Sequence, residues 1–333
     1  MNKTIKTIIF AAAVALFSCA FAASKKSIVC ATYPEYDWVM NILGDKAANF
    51  NVTLLQNNGT DLHSYQASIK DIAKISVCDM LVFVGGESDE WVEKAVAEAK
   101  NKNMIVVNMM ESLGDKVKEE EIVEGMQAEE EDEHEHADHD EDHDHDGHHH
   151  HHDEVEYDEH VWLSLRNAAA LVEALAQKIS ELDSANAAAY KANAASYAKE
   201  LLDLDAQCKK AVAAAAKKTI LFGDRFPFRY LADDYNLKYY AAFVGCSAET
   251  EASFETVIFL AKKVDELGLN AVLTIEKSDK KIAKTIVSNT KKKSAEILEM
   301  DSLQSITQKD IKAGRSYLSA MKKNLEVLKK ALR

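Results

Sequence analysis

Residues 119–159 hold ten histidines among twenty-one Asp and Glu residues, with no Lys or Arg. The densest part reads HEHADHDEDHDHDGHHHHHD and places His134, His136, His139, His143, His145, His148, His149, His150, His151 and His152 within nineteen residues. Neutral imidazole and carboxylate oxygen are the donors that borderline divalent ions favour, so the tract reads as a collector of zinc-like metals through weak accessory sites. A purification tag would lie at a terminus, and this tract lies mid-chain with apolar segments on both sides. Only two histidines fall outside it. His63 follows Gly59-Thr60-Asp61-Leu62, and His160 sits in Asp158-Glu159-His160-Val161-Trp162-Leu163, one on each side of the insert. Both occupy junctions between a loop and a regular element, where a side chain can be aimed into a cleft, and they are the better candidates for one ordered site. Asp224 and Glu276 each follow an apolar strand-like run and would complete a four-donor set. Either acid could equally cap the helix after it.

Two alternating series of strands and helices would position these residues. In the first half, 27–31, 50–55, 80–84 and 104–108 read as short apolar strands, with helical spacing at 35–43, 68–77 and 91–100. The second series places strands at 219–222, 238–243, 271–275 and 295–299, and helices at 226–235, 253–267, 280–290 and 315–332. Alternation of this kind makes parallel sheets. Between the two series, residues 165–218 contain neither Gly nor Pro and are rich in Ala, the best helix former. Asp183-Ser184-Ala185-Asn186 offers a break, and the helix from 187 to 217 would be about 45 Å long. The expected fold is therefore α/β: two similar lobes with parallel sheets joined by one long rigid helix, and a metal site in the interlobe cleft. A plain helical hairpin within one domain is the alternative use of that segment. The expected divisions are a signal peptide over 1–22, an N-terminal lobe over 27–114, a flexible metal-collecting loop over 115–158, a ligand segment and linking helices over 159–218, and a C-terminal lobe over 219–333.

Charge and export signals narrow the class. The formal net charge of -15 belongs to the tract, since the rest of the chain carries 40 bases and 34 acids. No basic cluster suggests a nucleic-acid partner. Lys3 and Lys6 precede an apolar run from Ile8 to Phe17 that is too short to span a bilayer, which fits an export signal. Ala20-Phe21-Ala22 fits ordinary cleavage, while Leu16-Phe17-Ser18-Cys19 resembles a lipobox. The expected location is periplasmic, or lipid-anchored to the outer face of the cytoplasmic membrane. Cys30, Cys78, Cys208 and Cys246 are widely spaced and form no CxxC, so thiolate ligation is not expected. Pairing of Cys208 with Cys246 and buried free thiols both remain open.

These residues carry a resemblance. GTDLHSYQASIKDIAKISVCDMLVFVGGESDEWV is similar to the first ligand segment of the zinc/manganese family of ABC-transporter solute-binding proteins, and DEHVWLSLRNAAALVEALAQKI resembles the second. A His/acid-rich loop before the second segment is typical of the zinc-uptake branch. The likeness runs through the mature chain to YLSAMKKNLEVLKKAL. It implies two lobes with Zn2+ held between them by His63 and His160, Mn2+ being less favoured. It also implies handover to an ABC permease and its ATPase in the inner membrane. The family's third histidine, after the first strand of the second lobe, has no counterpart in FGDRFPFRYLADDYNL. Asp224 is the candidate replacement there, although alignment by Tyr235-Asn236-Leu237 puts Arg225 in the slot, and a guanidinium cannot ligate. Glu276 matches a family acid, and Asp301 matches the position where the manganese branch places a carboxylate ligand. The expected set is His63, His160, Asp224 and Glu276, with Asp301 as the alternative fourth ligand.

The expected function is capture and handover of zinc by a monomer, without catalysis. A metallohydrolase would need an open metal position and a general base, and the chain has no HExxH or comparable spacing. A manganese- or iron-binding protein of the same family, and an extracytoplasmic zinc buffer or adhesin, are the alternatives.

Overall fold

The computed structural model describes residues 25–127, 156–247 and 251–333. Residues 1–24, which include the expected signal peptide, and all ten tract histidines lie outside the described residues. The first lobe runs β1 (Lys26–Cys30), α1 (Tyr33–Leu43), β2 (Phe50–Leu54), α2 (Ile69–Val77), β3 (Met80–Phe83), α3 (Glu90–Ala97), β4 (Ile105–Asn108) and α4 (Met109–Leu113). Two helices follow, α5 (Leu165–Leu182) and α6 (Ala187–Ala214). The second lobe runs β5 (Thr219–Phe226), α7 (Arg229–Asp234), β6 (Lys238–Val244), α8 (Phe254–Glu266), β7 (Ala271–Ile275), α9 (Lys281–Asn289), β8 (Glu296–Met300), α10 (Gln308–Lys312) and α11 (Tyr317–Ala331).

Each lobe holds a four-stranded parallel sheet, and the two share one topology: β2-β1-β3-β4 and β6-β5-β7-β8. Burial explains the order. MLVF in β3 and AVLTI in β7 are buried throughout, as central parallel strands covered on both faces must be, while edge strands β4 and β8 are only partly covered. In each sheet the chain winds outward in both directions from one switch point, between β1 and β3 or between β5 and β7. The loops at the carboxyl ends there open a crevice.

The break between α5 and α6 falls where the capping residues stand. Asp183 accepts hydrogen bonds from Asn186 at 2.7 Å and from the Tyr190 hydroxyl at 2.6 Å, closing a turn of 3₁₀ helix over Ser184–Asn186. The 28 residues of α6 span about 42 Å. It packs antiparallel on α5, so the segment is a hairpin and a strut at once. Asn193 donates to the Ile42 carbonyl and Tyr197 donates to Asp37 in the first lobe, while its far half packs on α11 of the second. One apolar core runs continuously from Ile28 through Trp38, Trp162 and Phe222 to Leu332. Trp38 and Tyr317 meet edge-on across the lobes at 5.2 Å between ring centroids. A shared core and a stiff strut leave room for small lobe displacements, not wide hinging.

Parts of the expected loop 115–158 are built into the fold. Glu119 pairs with Tyr157 as an antiparallel bridge, and Gln127 pairs with Phe243 at the edge of the second sheet. Glu121 accepts from Tyr239 at 2.7 Å and pairs with Arg229. Both stems of the tract are thus seated on the second lobe. Strand β5 is also longer than its apolar run, continuing through a bulge between Phe222 and Arg225. Asp224 therefore lies within a strand instead of after one.

Candidate metal centre

His63 sits in a single 3₁₀ turn, Leu62–Ser64, after β2, and Asp61 caps that turn by accepting from the His63 backbone N–H at 3.1 Å. His160 precedes a second 3₁₀ turn, Val161–Leu163, whose apolar side chains are all buried. The turn is pinned by Trp162, whose indole donates to the Ser302 carbonyl at 2.9 Å, and by the Tyr317 hydroxyl, which donates to the Trp162 carbonyl. Both histidine side chains are almost wholly covered, 6% and 0% exposed. That covering excludes water from the imidazole faces.

The two rings present Nε2 to each other at 3.1 Å. Their other nitrogens are already engaged. His160 Nδ1 faces Asp158 Oδ1 at 3.0 Å, and the same oxygen accepts from the His160 backbone N–H at 2.8 Å. His63 Nδ1 meets Ser88 Oγ at 2.9 Å and Glu159 Oε2 at 3.5 Å. An ionised carboxylate only accepts, so the Asp158 contact places the His160 ring proton on Nδ1, and the Ser88 hydroxyl can accept from His63 Nδ1 in the same way. Two neutral rings held this way aim both Nε2 lone pairs at one point, which is repulsive until a cation fills it. Zinc–imidazole bonds of about 2.0–2.1 Å meeting near the tetrahedral angle put two nitrogens roughly 3.3 Å apart, close to what the rings already provide.

The surroundings split the two titrations. Burial, with the His160 and Arg225 charges added, holds His63 well below the ordinary histidine range. Burial also opposes a charged His160, but the Asp158 carboxylate outweighs it and moves that ring upward. A bound metal would occupy the point between the two Nε2 atoms, and because it needs unprotonated rings its binding would weaken in acid.

Gly86 and Gly245 allow the close approach. Gly86 has φ +82°, the left-handed region, and a Cβ there would come within 2.5 Å of Glu159 Oε1. A Cβ on Gly245 would meet the His160 ring at 3.1 Å and the Phe226 carbonyl at 2.9 Å. The loop after β6 consequently lies against His160, and its next residue brings a third donor. The ring nitrogens of His63 and His160 and the Cys246 thiol all lie within 4.8 Å of one another. The expectation from spacing turned away from thiolates because no CxxC is present. Cys246 reaches the site through the fold, 86 residues beyond His160 in the chain, and its only sequence signal was its place just past an apolar strand. All four described cysteines are free thiols, so Cys208 and Cys246 are not paired. Burial, then Asp158, Glu120 and Glu159, pushes the metal-free Cys246 thiol far up.

The three expected acids are not gathered with the histidines. Glu276 is buried, and both its oxygens serve the loop after β8: Ser302 N at 2.7 Å and Ser302 Oγ at 2.9 Å, Gln304 N at 3.1 Å and Ser305 N at 3.3 Å. Asp301 accepts from Leu303 N at 3.0 Å and pairs with Arg315. These acids reach the site only at one remove, because their loop carries the Ser302 carbonyl that holds Trp162. Asp224 accepts from Arg225 N at 3.0 Å and lines a cavity of about 310 Å³ with Ser64, Ser247 and Ser278. Arg225 pairs across the cleft with Asp61, the residue that caps the His63 turn. An interlobe ion pair thus ties the second lobe to the turn that carries His63.

Comparison with known proteins agrees with this architecture. Residues 28–331 match the family described as zinc-uptake complex component A periplasmic, ZnuA. The zinc-binding lipoprotein AdcA of Streptococcus pneumoniae is 31% identical over 308 residues, covering 92% of this chain and 56% of that protein. The high-affinity zinc uptake system protein ZnuA of Bacillus subtilis is 29% identical, covering 92% of this chain and 88% of the other. The chain spans about half the length of the AdcA relatives it matches (56%). Among solved structures, the Zn(II)-bound ZnuA-like domain of S. pneumoniae AdcA superposes with a TM-score of 0.68 at 27% identity, covering 92% of this chain and 99% of that domain. With the family matched over nearly its whole folded length and the two-lobed topology in place, the chain belongs to the ZnuA family of zinc-uptake components.

Proposed function

We propose that this chain is the zinc-binding component of an ABC uptake transporter, holding extracytoplasmic Zn2+ between His63 and His160 for handover to a membrane permease and its ATPase. One observation carries it: two buried imidazoles aim Nε2 at a shared point while Ser88 and Asp158 engage the opposite nitrogens. Outer partners that fix the tautomer and orientation of a ring are the usual companions of metal-ligating histidine. The zinc-binding names of its relatives and the zinc-bound AdcA domain support zinc as the cargo. Relatives described as periplasmic or as lipoproteins support export, and the transport role of the family supports a protein without catalysis.

The tract feeds this site. Its two stems end at the cluster: Glu120 accepts from the Cys246 backbone N–H at 3.2 Å, and Asp158 and Glu159 contact His160 and His63. Ions gathered weakly by the ten tract histidines are released beside the ordered pair, which binds one ion more tightly. Small lobe displacements at the permease then open the cleft.

Zinc accumulation in cells grown under chelator tests the proposal. Loss of the gene is expected to reduce uptake, and a chain with His63→Ala and His160→Ala is expected not to restore it. Normal uptake without the gene, with sensitivity only to excess zinc, would establish a buffer instead.

A further inference from the structure

We infer that the Cys246 thiolate is the third protein ligand of the bound ion, making the site a two-histidine, one-cysteine centre. The inference rests on the cargo site proposed above and assigns it a donor of a different chemical class.

Four features support it. The Cys246 sulfur is one of the three ligand atoms lying within 4.8 Å of one another, and among the described residues no other such group of three includes the histidines. The loop is built to bring it there: Gly245 lets the backbone press on the His160 ring, and Glu120 fixes the Cys246 amide. No imidazole comes from β5, whose Arg225 is tied to Asp61 and cannot ligate. Finally, two acids that could have served have other commitments: the Glu276 oxygens serve the loop after β8, and Asp301 holds Leu303 N and pairs with Arg315.

Binding replaces the thiol proton: the S–H bond breaks, sulfur donates its freed pair to the metal, and the proton leaves to solvent or to a neighbouring carboxylate. Thiolate is a soft donor. It favours Zn2+ and other thiophilic ions over Mn2+, so it supplies the discrimination that a third imidazole would otherwise give.

Cobalt(II) titration of the full mature chain, tract included, tests this directly. The tract contains histidine and carboxylate but no cysteine, so only an ordered thiolate can give sulfur-to-cobalt charge-transfer absorption in the near ultraviolet. The band is expected to rise with the first tightly bound equivalent, to be displaced by zinc, and to vanish in Cys246→Ser. That variant is expected to weaken zinc binding by more than the roughly 10–100-fold that loss of an outer support costs. Cys246→His is expected to recover affinity without the band, which separates ligation from a structural role, and circular dichroism checks that the variants fold. A tight cobalt site that depends on His63 and His160 yet shows no sulfur band, or a band that survives in Cys246→Ser, would overturn the cysteine ligand and leave the cargo site standing. Absence of any tight equivalent sensitive to His63→Ala would overturn both.

Discussion

His160 Nδ1 lies 3.0 Å from Asp158 Oδ1, and this one carboxylate fixes both the ring and the backbone of the residue that closes the site. The last two acids of the histidine-rich tract thereby flank the two histidines, Asp158 bonded to the His160 ring and Glu159 Oε2 at 3.5 Å from the His63 ring.

Replacing that support should loosen the metal without removing it. Asp158→Asn is expected to weaken zinc binding about 10–100-fold, because the amide neither favours Nδ1–H as strongly nor raises the basicity of Nε2. Chelator competition measures the change. Unaltered affinity would show that Asp158 does not act through His160.

Glu276 is expected to matter for the fold more than for the metal. Its oxygens hold a loop in which Leu303 adopts φ +65°, a left-handed conformation that costs a branched residue about 1–2 kcal/mol. Glu276→Gln removes acceptor capacity from several buried donors and should destabilise the chain by about 2 kcal/mol. The number of tightly bound zinc ions should stay the same. Loss of the tight ion with unchanged unfolding in urea would instead make Glu276 a ligand.

Asp89 gives the metal-free protein a pH-dependent stability. Burial raises its carboxyl to about 7, although the Val84 and Gly85 amides donate to it and pull the other way, and the Glu159 charge adds to the rise. The unfolded chain would have the ordinary value near 4, so folding takes up a proton between about pH 4 and about pH 7. The contribution of Asp89 is fully present below that window and is lost as pH rises through it, with a slope of at most about 1.4 kcal/mol per pH unit. Asp89→Asn keeps an acceptor for the two amides and should flatten the profile. Urea unfolding of both forms across the window checks this, and parallel profiles would contradict it.

The fold was legible in the sequence because its signals are local. Short runs of four to six residues, most of them followed by helical spacing, marked all eight strands, and the Gly- and Pro-free stretch marked α5 and α6. The strand MLVF reads the same with or without its neighbours. Boundaries shifted where the chain departs from those signals, as in β5, whose bulge carries polar Asp224 and Arg225 into the strand. His63 and His160 were legible because ordered histidine is scarce outside the tract. Cys246 was not, since nothing in GCS distinguishes a ligand from an inert thiol until Gly245 is seen against His160. The commitments of Glu276 and Asp301 were equally hidden, because most Glu276 donors are backbone amides of a loop after a later strand, which have no sequence signature, and the Asp301 partner Arg315 lies beyond α10.

Zinc titration against a competing chelator, with the mature chain beside a form lacking residues 128–155, tests the central claim most directly. The ordered histidine pair should bind one ion tightly in both, with only the weak equivalents lost on removal of the tract. Introducing His63→Ala and His160→Ala together should abolish the tight equivalent while the tract sites of the longer form persist. If the shortened chain binds no ion tightly, or the doubly substituted chain binds one as before, the ordered pair is not where the cargo is held.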